Sequence, residues 1–208
     1  MTASQYKRIN LPKIIDISKK REDIAKKSID LVLKKGFCNI TVSEVASCAN
    51  IAKGSIYNYF NSKEDIIYEI IKAEYKEYDK EVELQIKNST TIKEKVLSLF
   101  KLCICDDKKD EQRRKLYREF VSICLNQSEC DMIDFKKSIK VKYIDWLRKI
   151  FLEGEQKGLL KKGSEKFSPG LFVMAEGIIL LADHNSQIFL DCIDELFKII
   201  EIKDEEEL

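Results

Sequence analysis

Apolar residues in this chain recur at the three- and four-residue spacing of helices, and no stretch alternates convincingly enough for a strand. The first sustained stripe, Ile24, Ile29, Leu31, Val32 and Phe37, begins near Arg21 and predicts a helix that Gly36 closes as a left-handed cap. Thr41 opens the next one. With Glu44 three residues on, it forms a capping box in which each side chain satisfies an orphan amide, and Val42, Val45 and Ala46 face inward. Asn50, one of the few non-glycine residue types that accept positive φ, ends this helix. A third short helix is expected over 53–59, with Ile56 and Phe60 inward and Lys53, Ser55, Tyr57 and Asn58 outward.

Ser62 with Asp65 caps a fourth helix, whose stripe Ile66, Ile67, Ile70, Ile71 and Ala73 carries it to Tyr78 or beyond; its charged second half is expected to be exposed. Thr91 with Glu94 repeats the capping box and starts a helix with Val96, Leu97, Phe100 and Leu102. Leu116, Tyr117, Phe120, Val121 and Cys124 mark another, and 133–155 a longer one. Ser168 followed by Pro169 is a helix start, and two helices split near His184 close the fold before an acidic tail at 204–207 that frays. The pattern predicts an all-α chain of about nine helices. It divides into a basic arm (1–20), a three-helix helix-turn-helix module (21–66) and a helical domain (67–208).

Composition supports helices, since only two prolines and seven glycines interrupt 208 residues. Charge changes the picture only when divided along the chain. Residues 1–66 hold 12 Lys and Arg against 7 Asp and Glu, a surplus of five, while the remainder holds 25 against 29. A polyanion is therefore expected at the N-terminal third. No apolar leader opens the sequence, and the most apolar run, 171–182, is interrupted by Glu176 and falls short of the ~20 residues of a membrane span. A cytoplasmic protein without membrane partners is expected. Seven cysteines form no CxxC pair and read as small buried apolar residues rather than a zinc site or a disulfide framework.

The stretch TVSEVASCANIAKGSIYNYFNSK (41–63) carries the functional signal. A short helix, a tight turn and a second short helix can place that second helix in a major groove. Lys53 can reach phosphate or a guanine edge, Gly54 allows close backbone approach, and Ser55 and Asn58 can bond base edges. Tyr57 and Tyr59 offer hydroxyls, and Lys63 adds charge at a helix start. A plain helical hairpin with a solvated lysine would share the geometry. The stretch, however, closely resembles the DNA-binding motif of the TetR (tetracycline-repressor) family, through its KGSIYNYFNSKEDI core and the entry Gly36, Phe37, Ile40, Thr41 and Val42, over roughly residues 21–71. Position by position, the resemblance implies that Lys53, Gly54 and Ser55 lie against bases and that Thr41, Tyr57, Asn58, Tyr59 and Lys63 hold phosphates. Two departures stand out: Ala52 where the family often caps with serine, and Tyr59 where histidine is frequent.

The resemblance also implies a non-enzymatic, homodimeric regulator on double-stranded operator DNA, with a small-molecule effector and no cofactor. Apolar stripes interleaved with polar handles, Phe100, Cys103, Tyr117, Phe120, Cys124, Tyr143 and Trp146, are the expected ligand lining. Phe172, Ala175, Ile178, Ile179, Ala182, Phe189, Ile193 and Leu196 are the expected dimer face, because the helix at 171–182 has almost no polar side. A ligand-released repressor is the leading expectation. A ligand-independent regulator or activator under a protein partner, or a helical interaction or enzyme module without DNA binding, stands as the alternative. Gly158 to Gly163 lacks the lysine of a phosphate loop, and His184 reads as a solvated turn residue rather than a metal ligand.

Overall fold

The computed structural model describes residues 16–126, 130–181 and 185–202. Among them the chain is helical throughout: α1 (Ile17–Lys27), α2 (Ile29–Lys35), α3 (Val42–Cys48), α4 (Lys53–Ile56), α5 (Lys63–Asn88), α6 (Ile92–Leu99), α7 (Lys101–Ile104), α8 (Lys108–Asn126), α9 (Cys130–Gln156), α10 (Ser168–Leu180) and α11 (Ser186–Ile200). A 3₁₀ turn, Ser164–Phe167, leads into α10, and one isolated bridge joins Leu160 to Glu201. No helix among these residues is long and apolar enough to cross a membrane.

Eleven helices stand against the nine expected because two stripes break within themselves. Ser28 is fully buried and its hydroxyl donates to the Ile24 carbonyl at 2.9 Å, which bends the backbone and separates α1 from α2. Phe100, at φ −105° and ψ 31°, does the same between α6 and α7. The first helix also starts earlier than expected, at Ile17, because Asp16 accepts the Lys19 amide as its cap. Both capping boxes form as expected, Thr41 with Glu44 and Thr91 with Glu94. Asn50 adopts φ 54°. Gly36 has positive φ, but at φ 80° and ψ 163° it lies outside the left-handed helical well; the acidic tail and most of the basic arm fall outside the described residues.

Two apolar clusters share α5. Ile66, Ile67, Ile70, Ile71 and Ala73 join Ile24, Val32, Phe37, Val45, Ile56 and Phe60 around the helix-turn-helix, together with Leu116, Phe120 and Met132 from α8 and α9. Tyr78 and Val82 join Val96, Leu99, Leu147, Phe151, Phe189, Ile193 and Phe197 in the second. The cores thus meet between Ala73 and Tyr78, farther along the chain than the division at 66/67. The second half of α5, expected to be exposed, buries Glu74, Tyr78 and Val82 against α6 and α8. The cysteine reading also needs correction. Of the six whose side chains are described, only Cys103 is buried, while Cys38 and Cys192 are exposed.

Candidate nucleic-acid interface and effector cavity

α3, the turn at Ala49 to Ile51 and α4 form the helix-turn-helix. Ile56 and Phe60 anchor it, both essentially inaccessible; a side chain of that kind contributes about 1.5–3 kcal/mol on burial. The opposite face is open: Lys53, Gly54, Tyr57 and Asn58 are exposed, Ser55 is half-buried, and a Cβ built on Gly54 would meet nothing within 4 Å. Ala52 supplies no side-chain cap to α4. The Thr41 hydroxyl is committed to the capping box, 2.9 Å from Glu44 Oε2. Tyr59 is half-buried against the core rather than fully presented. Lys63, at the start of α5, donates to the Cys38 carbonyl at 3.2 Å, which sets its ammonium beside the loop that enters α3.

A staple holds this face in place. Arg21 of α1 donates to the Tyr59 carbonyl at 2.7 Å and to both Asp65 oxygens, reaches Glu69 at 3.3 Å, and lies 4.6 Å above the Phe60 ring. Its hydrogen bond holds the Asp65 carboxyl below the ordinary range. Asp65 also accepts the Asn61 amide at 3.0 Å, so one carboxylate fixes both the end of the recognition segment and the start of α5. Sequence reading passed over Arg21, whose partners lie 38 to 48 residues away.

Two small apolar cavities lie farther along α5. One, of about 60 Å³, is walled by Phe100, Cys103, Tyr117 and Tyr143 of the expected lining and also by Tyr75, Tyr78, Phe172, Glu176 and Ile179. The other, of about 40 Å³, is walled by Phe120 and Tyr117 together with Phe37, Ile71, Glu74 and Arg113. Trp146 and Cys124 line neither; Trp146 packs on Tyr143 with ring centroids 5.5 Å apart, and the Cys124 thiol faces the Met132 carbonyl. Glu176 is the polar handle of the first cavity. Tyr117 and Lys136 each donate to it at 2.6 Å, and together they outweigh the burial that would raise its carboxyl, holding it below the ordinary range. Burial pushes the Tyr78, Tyr117 and Tyr143 phenols up and keeps them neutral, and it pushes the Cys103 thiol up, which makes that sulfur a poor nucleophile.

The family model for bacterial regulatory proteins of the tetR family matches residues 24–70, the stretch from the buried Ile24 of α1 to the first core turns of α5. Residues 24–70 thus carry the DNA-binding domain of the tetR family. The protein is a DNA-binding transcriptional regulator. It is 28% identical over 140 residues to the fatty acid metabolism regulator protein of Bacillus subtilis (strain 168), a match covering 65% of this chain and 68% of that one. Its fold is that of the TetR-family transcriptional regulator from Cytophaga hutchinsonii, with TM-score 0.73 at 16% identity over 92% of this chain and all of that one. The fatty acid degradation regulator FadR from Bacillus halodurans shares the fold at TM-score 0.52 and 18% identity, over 86% of this chain and 93% of that one.

Most of the residues expected at a dimer face lie within the core of the single chain. Phe172, Ala175, Ile178, Ile179, Phe189 and Ile193 are buried within the single chain, Leu196 is half-buried, and Ala182 lies outside the described residues. Apart from Glu176, α10 has almost no polar side, so its sequence could not say which side its own core takes. The exposed apolar side chains are Val173, Leu180 and Leu181 from α10 and its end, with Ile188, Cys192 and Ile199 on α11, each set following helical spacing.

Proposed function

We propose that this regulator is a dimeric repressor released from a palindromic operator by a fatty-acid-derived effector bound between α5, α8 and α10. One observation carries the reading: α5 walls both apolar cavities with Tyr75 and Tyr78, and the same helix begins at Lys63 beside the recognition segment. A rigid helix of 26 residues converts a shift at the cavity into a shift at its tip. The almost wholly apolar linings favour a hydrocarbon ligand, and the fatty acid regulators among its relatives point the same way.

On this reading Lys53, Gly54 and Ser55 meet bases, while Tyr57, Asn58 and Lys63 take phosphates. The partner protomer covers Val173, Leu180, Ile188 and Ile199, and the exposed Gly177 within that stripe permits close helix approach. The test is a mobility shift with genomic fragments bordering its own gene, without and with fatty acids and their thioesters. Binding that these compounds abolish supports the proposal; binding that none of them alters overturns the effector assignment. Sedimentation of Ile199→Asp should show a monomer, because a charge unpaired in an apolar interface costs several kcal/mol, and an unchanged dimer would remove that face from the interface.

A further inference from the structure

The two apolar cavities share four wall residues, Tyr75, Tyr78, Leu102 and Tyr117. These side chains form a partition. On one side stand Phe172, Ala175 and Ile179 of α10; on the other stand Leu116 and Phe120 of α8 and, from the DNA-binding module itself, Phe37. The charged members of the inner wall, Glu74 and Arg113, are paired with each other at 2.7 Å. Cavities of about 40 and 60 Å³ are far below the ~300–1,000 Å³ of a usual ligand site, so a ligand enters only by moving the partition. A narrow chain needs the least movement. Each segment follows its helix for seven residues, Arg113 to Phe120 and Phe172 to Ile179, or about 10 Å at ~1.5 Å per residue.

Phe37 is tied down at the end of that path. Its amide donates to Glu119 Oε2 of α8 at 2.6 Å, immediately after Gly36, where a Cβ would collide with the Glu119 carboxylate. Through this junction α8 closes the end of α2 and also lines the inner cavity. We propose that the two cavities are successive segments of one channel for an unbranched hydrocarbon chain, and that a chain long enough to fill the inner segment displaces Phe37 and breaks its hydrogen bond to Glu119. The protein then measures chain length: short chains bind without disturbing the DNA-binding helices, and long chains bind and release them. This rests on the reading that the effector occupies the cavity between α5 and α10.

Two readouts separate occupancy from release. Trp146, the single tryptophan, stacks on the cavity residue Tyr143, so its fluorescence reports the outer segment. Exchange of the Phe37 amide reports the junction with α8. Octanoic, lauric and palmitic acids are titrated as free acids and, in a second arm, as thioesters. At saturation of the Trp146 signal, the palmitoyl compound should accelerate Phe37 exchange by about tenfold or more, and the octanoyl compound should leave it unchanged. Leu116→Phe, which fills the inner segment, should keep the Trp146 response and lose the acceleration. Glu119→Ala should make Phe37 exchange fast at every chain length. Equal acceleration by short and long chains, or bound palmitoyl compound with no acceleration, overturns the length-measuring channel alone. Absence of any Trp146 response in both arms overturns the effector assignment and the channel with it.

Discussion

Arg21 and Arg113 hold the same helix at different depths. Arg21, from α1, takes Asp65 and Glu69 in the first two turns of α5 and keeps about a fifth of its side chain in solvent. Arg113, from α8, takes Glu74 at 2.7 Å and Glu81 through two guanidinium nitrogens, lies 4.8 Å above the Tyr78 ring, and is only 3% exposed. The DNA-binding end of α5 is therefore held by a clamp that water can enter, and its middle by one in which the guanidinium and Glu74 are shut off from water and only Glu81 reaches it. Dielectric makes the difference: an ion pair at the surface yields little, while removing one partner of a buried pair strands the other. The tip of α5 should thus be the compliant end of the lever, with its fulcrum at Arg113.

The largest expected effect is therefore Arg113→Ala. It leaves Glu74 buried without its partner and should cost about 3–5 kcal/mol of unfolding free energy, read from denaturant midpoints. Arg21→Ala comes next. It removes a partly solvated clamp and should cost about 1–2 kcal/mol, yet it should weaken operator binding more than Arg113→Ala does, because the Tyr59 carbonyl loses its donor and Asp65, which holds the Asn61 amide, loses the guanidinium that orients it. Equal stability losses for the two variants would contradict the difference in depth.

Acid offers a smaller perturbation with a defined sign. Hydrogen bonding from Arg113, assisted by Lys109, takes the Glu81 carboxyl from an ordinary 4.5 to about 2. A carboxyl depressed in the folded state stabilises it above the ordinary value, and that stability is lost as pH falls through the folded value. Glu74 has the opposite sign, since burial raises it against the pull of Arg113, and its titration favours the fold as pH falls. Melting temperature should consequently change little on approach to pH 4.5 and fall between there and about 2. In Arg113→Ala the Glu81 contribution shrinks to what Lys109 supplies and that of Glu74 grows, so acidification toward pH 4.5 should raise its melting temperature. A variant that declines in parallel with wild type would count against the clamp.

What the sequence disclosed follows the range of the interactions. The capping boxes at Thr41 and Thr91 and the positive φ at Asn50 are settled within a few residues, and all were legible. The open face of Lys53, Gly54, Tyr57 and Asn58 was legible too, because Ile56 and Phe60 fix which side is inward. Arg21 with Asp65, Arg113 with Glu74 and Phe37 with Glu119 are separated by 44, 39 and 82 residues, and no local pattern announces them. The side of α10 that meets its own core was hidden for another reason: with Glu176 alone among its charged types, the helix has no polar stripe to orient it. Tyr78 was readable as part of the fourth helix, but the place of Tyr75 and Tyr78 in the cavity walls emerges only once α8 and α10 pack against them.

The smallest effect sits at the compliant tip. Lys63 belongs to α5, as the two clamped segments do, but its Nζ donates to the Cys38 carbonyl and is paired with no carboxylate among the described residues. A solvent-exposed hydrogen bond from an ammonium to a carbonyl contributes little to folding, so Lys63→Ala should leave the unfolding midpoint almost unchanged. Its ammonium is a different matter for DNA, because one phosphate contact releases close to one counterion. Affinity for specific and unrelated fragments should fall by a similar factor, and the slope of log affinity against log salt should shrink by about 0.9. Ser55→Ala, on the open face of α4, should instead alter the preference among operator sequences and leave that slope alone. If Lys63→Ala lowers stability as Arg21→Ala does, or leaves the salt slope intact, the tip of α5 is a third structural clamp and not a phosphate contact.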